Sequence, residues 1–404
     1  MNASIQCLSN TIPLTDYFLG FNYHTEVNEK NFLGTGGALA EAYAELLQQL
    51  WSQGINERRL PVHPKAFKKA LSQFAPQFEG FNQHDALELL SFLLDGIHED
   101  LNRVLTKPQM EDFPEGDEKS SDAESIEISM KSWKSYLRRD RSVIVDIFQG
   151  QIRSTLQGSC GHKSFKFDPF QYLTLPMNST TKSVTDCLKL FCEEERLHGA
   201  NQWYCSKCKR YVDATKKLDL WTLPPILIIS LKRFDCNSDG KRKKLSQEIN
   251  VPIEAWSLSN FVKYSQTSSL DYDLYAIIHH YGDENQGHYT ADACSRKEEW
   301  HTFNDSRSAS IQDEILSAKV NGLNSSSAYI LFYNRAKEID DDNSNPLLKK
   351  SSSVLRQSLN RPFLWPHNIN SDLSSKREEF RKFTRVRSSY STSSDECFQS
   401  WKCR

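Results

Sequence analysis

The chain has 404 residues, 38% hydrophobic and 25% charged, which allows one large folded domain with polar insertions or a tail, or two to three smaller ones. Its 50 Lys and Arg against 52 Asp and Glu leave a net charge of −2, so no overall field recruits nucleic acid or an anionic membrane. The most apolar stretch, LPPILIISL, is far too short to cross a bilayer, the N-terminus lacks a signal-peptide pattern, and ten cysteines are too dilute for a disulfide scaffold. These features point to an intracellular protein, cytoplasmic or nuclear, with reduced thiols.

The chain opens on the amphipathic MNASIQCLSN, followed by two long helical patterns, GGALAEAYAELLQQLWSQ and QHDALELLSFLLDGIHEDLNRVL. Both repeat apolar residues at spacings of three and four, the second through Leu90, Leu94, Ile97, Leu101 and Val104. Residues 108–129, PQMEDFPEGDEKSSDAESIEIS, are acidic with Pro and Ser and few large apolar residues, which reads as a solvated insertion without structure. From SVIVDIFQGQIRSTLQG onward β-branched and aromatic residues take over, with further strands in PPILIISLKRF, YDLYAIIHHYG and SAYILFYN and one helix at SVTDCLKLFCEEER. Helices first and an antiparallel sheet later make the fold class α+β. Beyond about Arg335 the pattern fades, so 336–404 reads as a disordered Ser-rich and basic tail.

Two stretches carry chemistry. In HHYGDENQGHYTA, His288 restarts a strand just after Gly287, where backbone approaches closely, and Asn304 or Asp305 in WHTFNDS lies on the next β segment. A base histidine held by an Asn or Asp is half of a thiol-protease site. His279, His280 and His301 compete for that role on sequence alone. In WYCSKCKRY, Cys205 and Cys208 have the two-residue separation of a zinc half-site. Upstream, QGSCGHKSF offers Cys160, with His162 as a fourth ligand at an awkward spacing; Gln157 cannot replace a thiolate. The alternatives are a structural Zn2+ with an incomplete ligand set or a turn held by packing.

In this order, NASIQCLSNTIPLTDYF, FNQHDALELLSFLLDGIHEDLNR, CGHKSFKFDPFQYLTLP, WYCSKCK, LWTLPPILIISLKRF, HHYGDENQGHYTA, WHTFNDS and AYILFY resemble the boxes of the ubiquitin-specific protease family of cysteine deubiquitinases, over most of residues 1–335. The resemblance implies a papain-like fold with a helical thumb (about 1–140) and a β palm with zinc-ribbon-like fingers (about 141–335). It implies ubiquitin and ubiquitinated proteins as partners, and hydrolysis of the (iso)peptide bond after the C-terminal glycine of ubiquitin. By the same resemblance His288 is the base, Asn304 orients it, Asp305 assists, and Gln83, Asp85, Gly287 and Tyr289 line the path of the ubiquitin tail. The family's first box ends in the Met-Asn that opens this sequence, which would put the nucleophilic cysteine two residues ahead of Met1. Cys7 lies about 12 Å further along a helix rising ~1.5 Å per residue and is read as a core side chain. The expectation is therefore a thiol hydrolase that is inactive as written unless extended upstream; the alternative is a non-catalytic ubiquitin-binding module or scaffold.

Overall fold

The helical layer consists of α1 (Asn2–Ser9), α2 (Ile12–Leu19), α3 (Ala38–Trp51), α4 (Lys65–Phe74) and α5 (Ala86–Asp100). The computed structural model describes residues 1–336 apart from 21, 52–61, 81, 110–114, 118–119, 237–241, 265–268 and 284–285. Leu39, Tyr43 and Leu47 of α3 and Leu90, Leu94 and Ile97 of α5 are fully buried, as their helical spacing requires. Asp100, at the end of α5, accepts from the amides of Leu39 and Ala40 at 3.1 Å and so caps the start of α3 from a neighbouring helix.

Two expectations are corrected here. The acidic segment 108–129 is not a structureless insertion throughout: α6 (Asp122–Leu137) starts inside it on a capping box, with Ser121 Oγ accepting from Glu124 N and Glu124 Oε2 accepting from Ser121 N. Its inward face carries Ser125, Ser129 and Ser132, and Ser129 donates to Gln151 Oε1 at 3.0 Å. The start of the SVIVDIF run is not strand but α7 (Val143–Phe148), capped by Ser142. All but Asp146 of its residues are buried, so tertiary burial overrides the β preference of its branched residues. Residues 337–404, expected to be a disordered tail, lie outside the described residues.

Two larger sheets are built mostly from the chain after α7. One joins Gly116–Asp117, Lys163–Phe170, Gly150–Gly158, Ala214–Thr222 and Glu195–Leu197 in that spatial order, all antiparallel. Phe165, Phe167 and Trp221 form its core, against which Ile126 and Ile128 of α6 pack. The hairpin of Trp203–Cys205 with Arg210–Val212 lies in the chain between its strands Glu195–Leu197 and Ala214–Thr222. α8 (Val184–Phe191) is capped by Ser183, and α9 (Gln312–Ala318) comes near the end of the described chain.

The second sheet carries β1 (Leu173–Leu175), β2 (Ile226–Leu231), β3 (Asp271–Gly282), β4 (Gly287–Cys294), β5 (Trp300–Asn304), β6 (Arg307–Ser310) and β7 (Ala328–Arg335). Its order is β6-β5-β4-β3-β7-β2-β1. Pairing is antiparallel except between β1 and β2, which run parallel. β2 is buried at every residue, whereas the edge strand β6 is exposed at every residue. α1 packs on β4 and β3, which brings the start of the chain onto the middle of this sheet. The second unit holds Phe234–Leu245 and residues from 340 onward; its described part is the pairing of Phe234–Cys236 with Arg242–Lys244. No helix among the described residues is long and apolar enough to cross a membrane.

Buried carboxylates brace the back of α5. Glu99 is buried and Asp140 mostly so, and Lys107 Nζ lies 3.1 Å from the first and 2.8 Å from the second. His98 Nδ1 meets Ser142 Oγ at 2.7 Å, and its Nε2 faces Asp140 at 3.4 Å. Burial alone would raise the Asp140 carboxyl, but His98 and Lys107 outweigh it and hold the group down to about 2. A depressed carboxyl stabilises the fold above its unfolded pKa near ~4 and loses that contribution as pH falls through its folded value. Denaturant titrations are therefore expected to lose about 2 kcal/mol between pH 4 and pH 2 through this group, and Asp140→Asn should flatten that part of the profile; an equally steep profile in the variant would remove Asp140 as its source.

Candidate active site and cysteine cluster

The β3–β4 hairpin fixes the geometry of the site. Its register pairs Gly282 with Gly287, Tyr281 with His288, His280 with Tyr289 and His279 with Thr290. His288 is exposed, and its Nε2 lies 2.8 Å from Asn304 Oδ1 at the end of β5. An amide oxygen only accepts, so Nε2 carries the proton and Nδ1 is the basic nitrogen. Asp305 enters through its main chain: at φ +51° it turns the chain from β5 into β6, and its carbonyl accepts from Asn2 Nδ2 at 3.1 Å.

The other three histidines are engaged differently. His279 is buried between Ser327 Oγ (2.9 Å from Nδ1) and Asp292 Oδ2 (2.8 Å from Nε2). His280 is buried against the rings of Tyr289 and Tyr329, at 4.7 and 6.0 Å between centroids. His301 Nδ1 faces the carbonyl of Glu299 at 3.4 Å. Sequence spacing did not separate these four; pairing and exposure do.

The segment that carries His288 is held from both sides by the loop before α5. Gly287 N donates to Gln83 Oε1 at 3.3 Å. Asp85 is the N-cap of α5: Oδ1 accepts from Leu87 N (2.8 Å) and Glu88 N (3.0 Å), while Oδ2 accepts from Tyr289 Oη (3.2 Å) and Tyr329 Oη (2.6 Å). Burial, then the Asp85 charge, pushes both phenols well above their ordinary range, so they remain donors at neutral pH. Tyr329 was not singled out by the sequence; only the fold brings it to Asp85. Gly287 has no room for a side chain, because a Cβ there would sit 2.1 Å from His280 Nε2.

Cys7 lies elsewhere. It is fully buried on α1, its Sγ donates to the carbonyl of Ile277 at 3.7 Å, and burial followed by the Asp292 charge pushes the thiol well up. Ile277 stands four residues before Tyr281, the partner of His288, about 13 Å away along a strand. A buried, protonated thiol at that remove is not a nucleophile for His288.

A second cluster forms at the end of the other sheet. The Sγ atoms of Cys160, Cys205 and Cys208 lie within 4.8 Å of one another. Cys160 and His162 come from the turn between Gly150–Gly158 and Lys163–Phe170, which Gly161 closes at φ +82°. Cys205 and Cys208 come from the turn of the short hairpin, which Lys209 closes at φ +56°. Cys160 Sγ is 3.6 Å and His162 Nδ1 is 3.3 Å from Cys205 Sγ. Donors around a tetrahedral zinc, with Zn–S about 2.3 Å, are separated by about 3.5–3.8 Å, so the three clustered sulfurs could hold that metal. His162 also stacks on Trp203 at 5.6 Å, which fixes its ring. Gln157 stays in its strand with an exposed side chain.

Residues 1–333 match the profile of the family described as ubiquitin carboxyl-terminal hydrolase. The chain is 37% identical over 341 residues to human ubiquitin carboxyl-terminal hydrolase 2, covering 83% of this chain and 53% of that protein. It is 33% identical over 357 residues to human ubiquitin carboxyl-terminal hydrolase 21, covering 84% and 60%. The chain thus spans little more than half the length of these relatives. Among solved structures, the SAGA DUB module containing Ubp8 and bound to monoubiquitin matches with a TM-score of 0.61 at 22% identity, over 83% of this chain and 66% of that one; this likeness shows the fold. With a family match over nearly all of the described residues and relatives above 30% identity, the chain belongs to the ubiquitin carboxyl-terminal hydrolase family.

Proposed function

We propose that this domain is a ubiquitin-directed thiol hydrolase acting on the (iso)peptide bond that follows ubiquitin's C-terminal glycine. The observation that carries the reading is His288: an exposed imidazole with Nε2 engaged by Asn304, which leaves Nδ1 to take a proton from a thiol. The helical layer, the sheet bearing His288 and the distal sheet with the cysteine cluster take the roles of thumb, palm and fingers, within a catalytic domain of about 1–335. Ubiquitin as the partner is supported by the family and by the ubiquitin present in the Ubp8 module.

In this mechanism His288 is base for the attacking thiol and then, as imidazolium, acid for the leaving nitrogen. Asn304 fixes the ring without adding a charge. The turn at Asp305 ties that arrangement to α1 through Asn2, and Gln83, Asp85, Gly287 and Tyr289 shape the wall beside the ubiquitin tail. A thiol two residues ahead of Met1, where the family resemblance puts it, completes the site next to the start of α1. Binding without turnover is the second reading, favoured by Cys7, whose buried, protonated thiol rests on Ile277, four strand residues or about 13 Å from the register partner of His288.

The 404 residues alone are expected to bind ubiquitin saturably and to leave a ubiquitin fusion intact, whereas the same chain preceded by a cysteine-bearing segment should cleave it. Repeated turnover by the 404-residue product, lost on alkylation, would exclude this assignment of the nucleophile; no saturable binding would exclude both readings. In the extended product His288→Ala should lower kcat by about 10²–10⁴-fold. In Asn304→Ala the nitrogen-15 shifts of His288 should move from the Nε2-protonated tautomer toward a mixture, and an unchanged tautomer would remove Asn304 as the orienting residue.

The proposal includes a structural zinc on Cys160, Cys205 and Cys208 with His162 as fourth ligand, which locks the two turns of the fingers and takes no part in the reaction. Purified protein should hold about one equivalent of zinc; chelation should lower its melting temperature, and His162→Ala should weaken zinc retention. Less than half an equivalent per chain in protein purified without chelator would overturn the ligand set.

A further inference from the structure

We propose that Tyr281 receives the lysine side chain on the leaving side of the isopeptide bond, and so favours branched conjugates over free ubiquitin. The assignment rests on the ubiquitin-directed reading above. Tyr281 is the register partner of His288, and partners on antiparallel strands project to the same face with Cβ atoms about 4.5–5.5 Å apart. In the sheet order β5-β4-β3, Asn304 takes one flank of His288 and Tyr281 the other. Tyr281 is 47% exposed, an unusual state for a large ring beside a base.

The ring is also backed. It lies over the imidazole of His279, with centroids 6.2 Å apart and planes at 26°. Both nitrogens of His279 are engaged, Nδ1 by Ser327 Oγ and Nε2 by Asp292 Oδ2, and its side chain is buried. A fixed imidazole beneath Tyr281 limits where the phenol can turn and keeps one aromatic face toward solvent next to His288.

The chemistry decides what meets that face. When the thiolate sulfur bonds to the carbonyl carbon of ubiquitin's terminal glycine, the C–N bond breaks and the leaving nitrogen takes the proton held by the imidazolium. The leaving nitrogen therefore lies within hydrogen-bond reach of His288. In an isopeptide that nitrogen ends a lysine stem of four methylenes, and such stems lie along apolar and aromatic surfaces. Free ubiquitin ends at the glycine and has nothing to place on Tyr281.

The test measures the affinity of the 404-residue chain for ubiquitin and for ubiquitin joined through its C-terminus to the side chain of a lysine in a short peptide by a non-cleavable amide isostere. The native chain should bind the conjugate about fourfold more tightly, the worth of one methylene taken out of water. Tyr281→Phe should keep that preference, and Tyr281→Ala and Tyr281→Thr, the latter well suited to a strand, should bring the two affinities to parity. No preference in the native chain, or a preference that survives in both Ala and Thr variants, overturns the role of Tyr281 while leaving the ubiquitin reading intact. Failure to bind either ligand overturns that reading and this assignment with it.

Discussion

The carboxylate of Asp85 joins the helical layer to the sheet. One oxygen accepts the first amides of α5 and the other accepts phenols from β4 and β7, so the helix N-terminus and two strands share one acceptor. Hydrogen bonds to a charged group contribute about 1.5–3 kcal/mol each, and the positive end of α5 favours the same charge. With Gln83 holding Gly287 from the adjacent position, the loop before α5 grips the residues on either side of His288. The imidazole stands on a strand whose neighbours in sequence cannot drift without breaking contacts to a second element.

That arrangement explains what the sequence could and could not reveal. α3 and α5 were legible because their buried faces are Leu, Ile and Tyr at helical spacing. α6 was not, because its fully buried positions are Ser125, Ser129 and Ser132, with Ser129 held by Gln151, and only the half-buried Ile126 and Ile128 pack on the aromatic core. The readable signal was the Ser121–Glu124 box at its start. α7 was misread for the opposite reason: its branched residues favour strand locally, while Ser142 and complete burial of most of the turn favour helix.

At the site, residue types and the pairing of His288 with Asn304 were visible, and the other partnerships were not. His279, His280 and His301 competed with His288 on spacing alone, and the resemblance favoured His288; in the fold His288 is exposed beside Asn304, while His279 and His280 are buried. Asp85 was placed along the ubiquitin-tail path by resemblance, and its bonds to Tyr289 and Tyr329 were not foreseen, because those residues lie 204 and 244 positions away in the chain. The cysteine cluster was half legible: the two-residue spacing of Cys205 and Cys208 announced a turn, whereas the approach of Cys160 and His162 depends on how two β turns meet.

The outer edge of the His288 sheet has a different significance. β6 is four residues long, begins with an arginine and is exposed throughout, beside a sheet whose interior strand β2 is wholly apolar and buried. An open ladder of main-chain donors and acceptors next to so apolar a sheet invites a second chain to add a strand and start aggregation. Brevity and a charged first residue make that edge a poor template for strand addition by a second copy, while the face that carries His288 stays exposed.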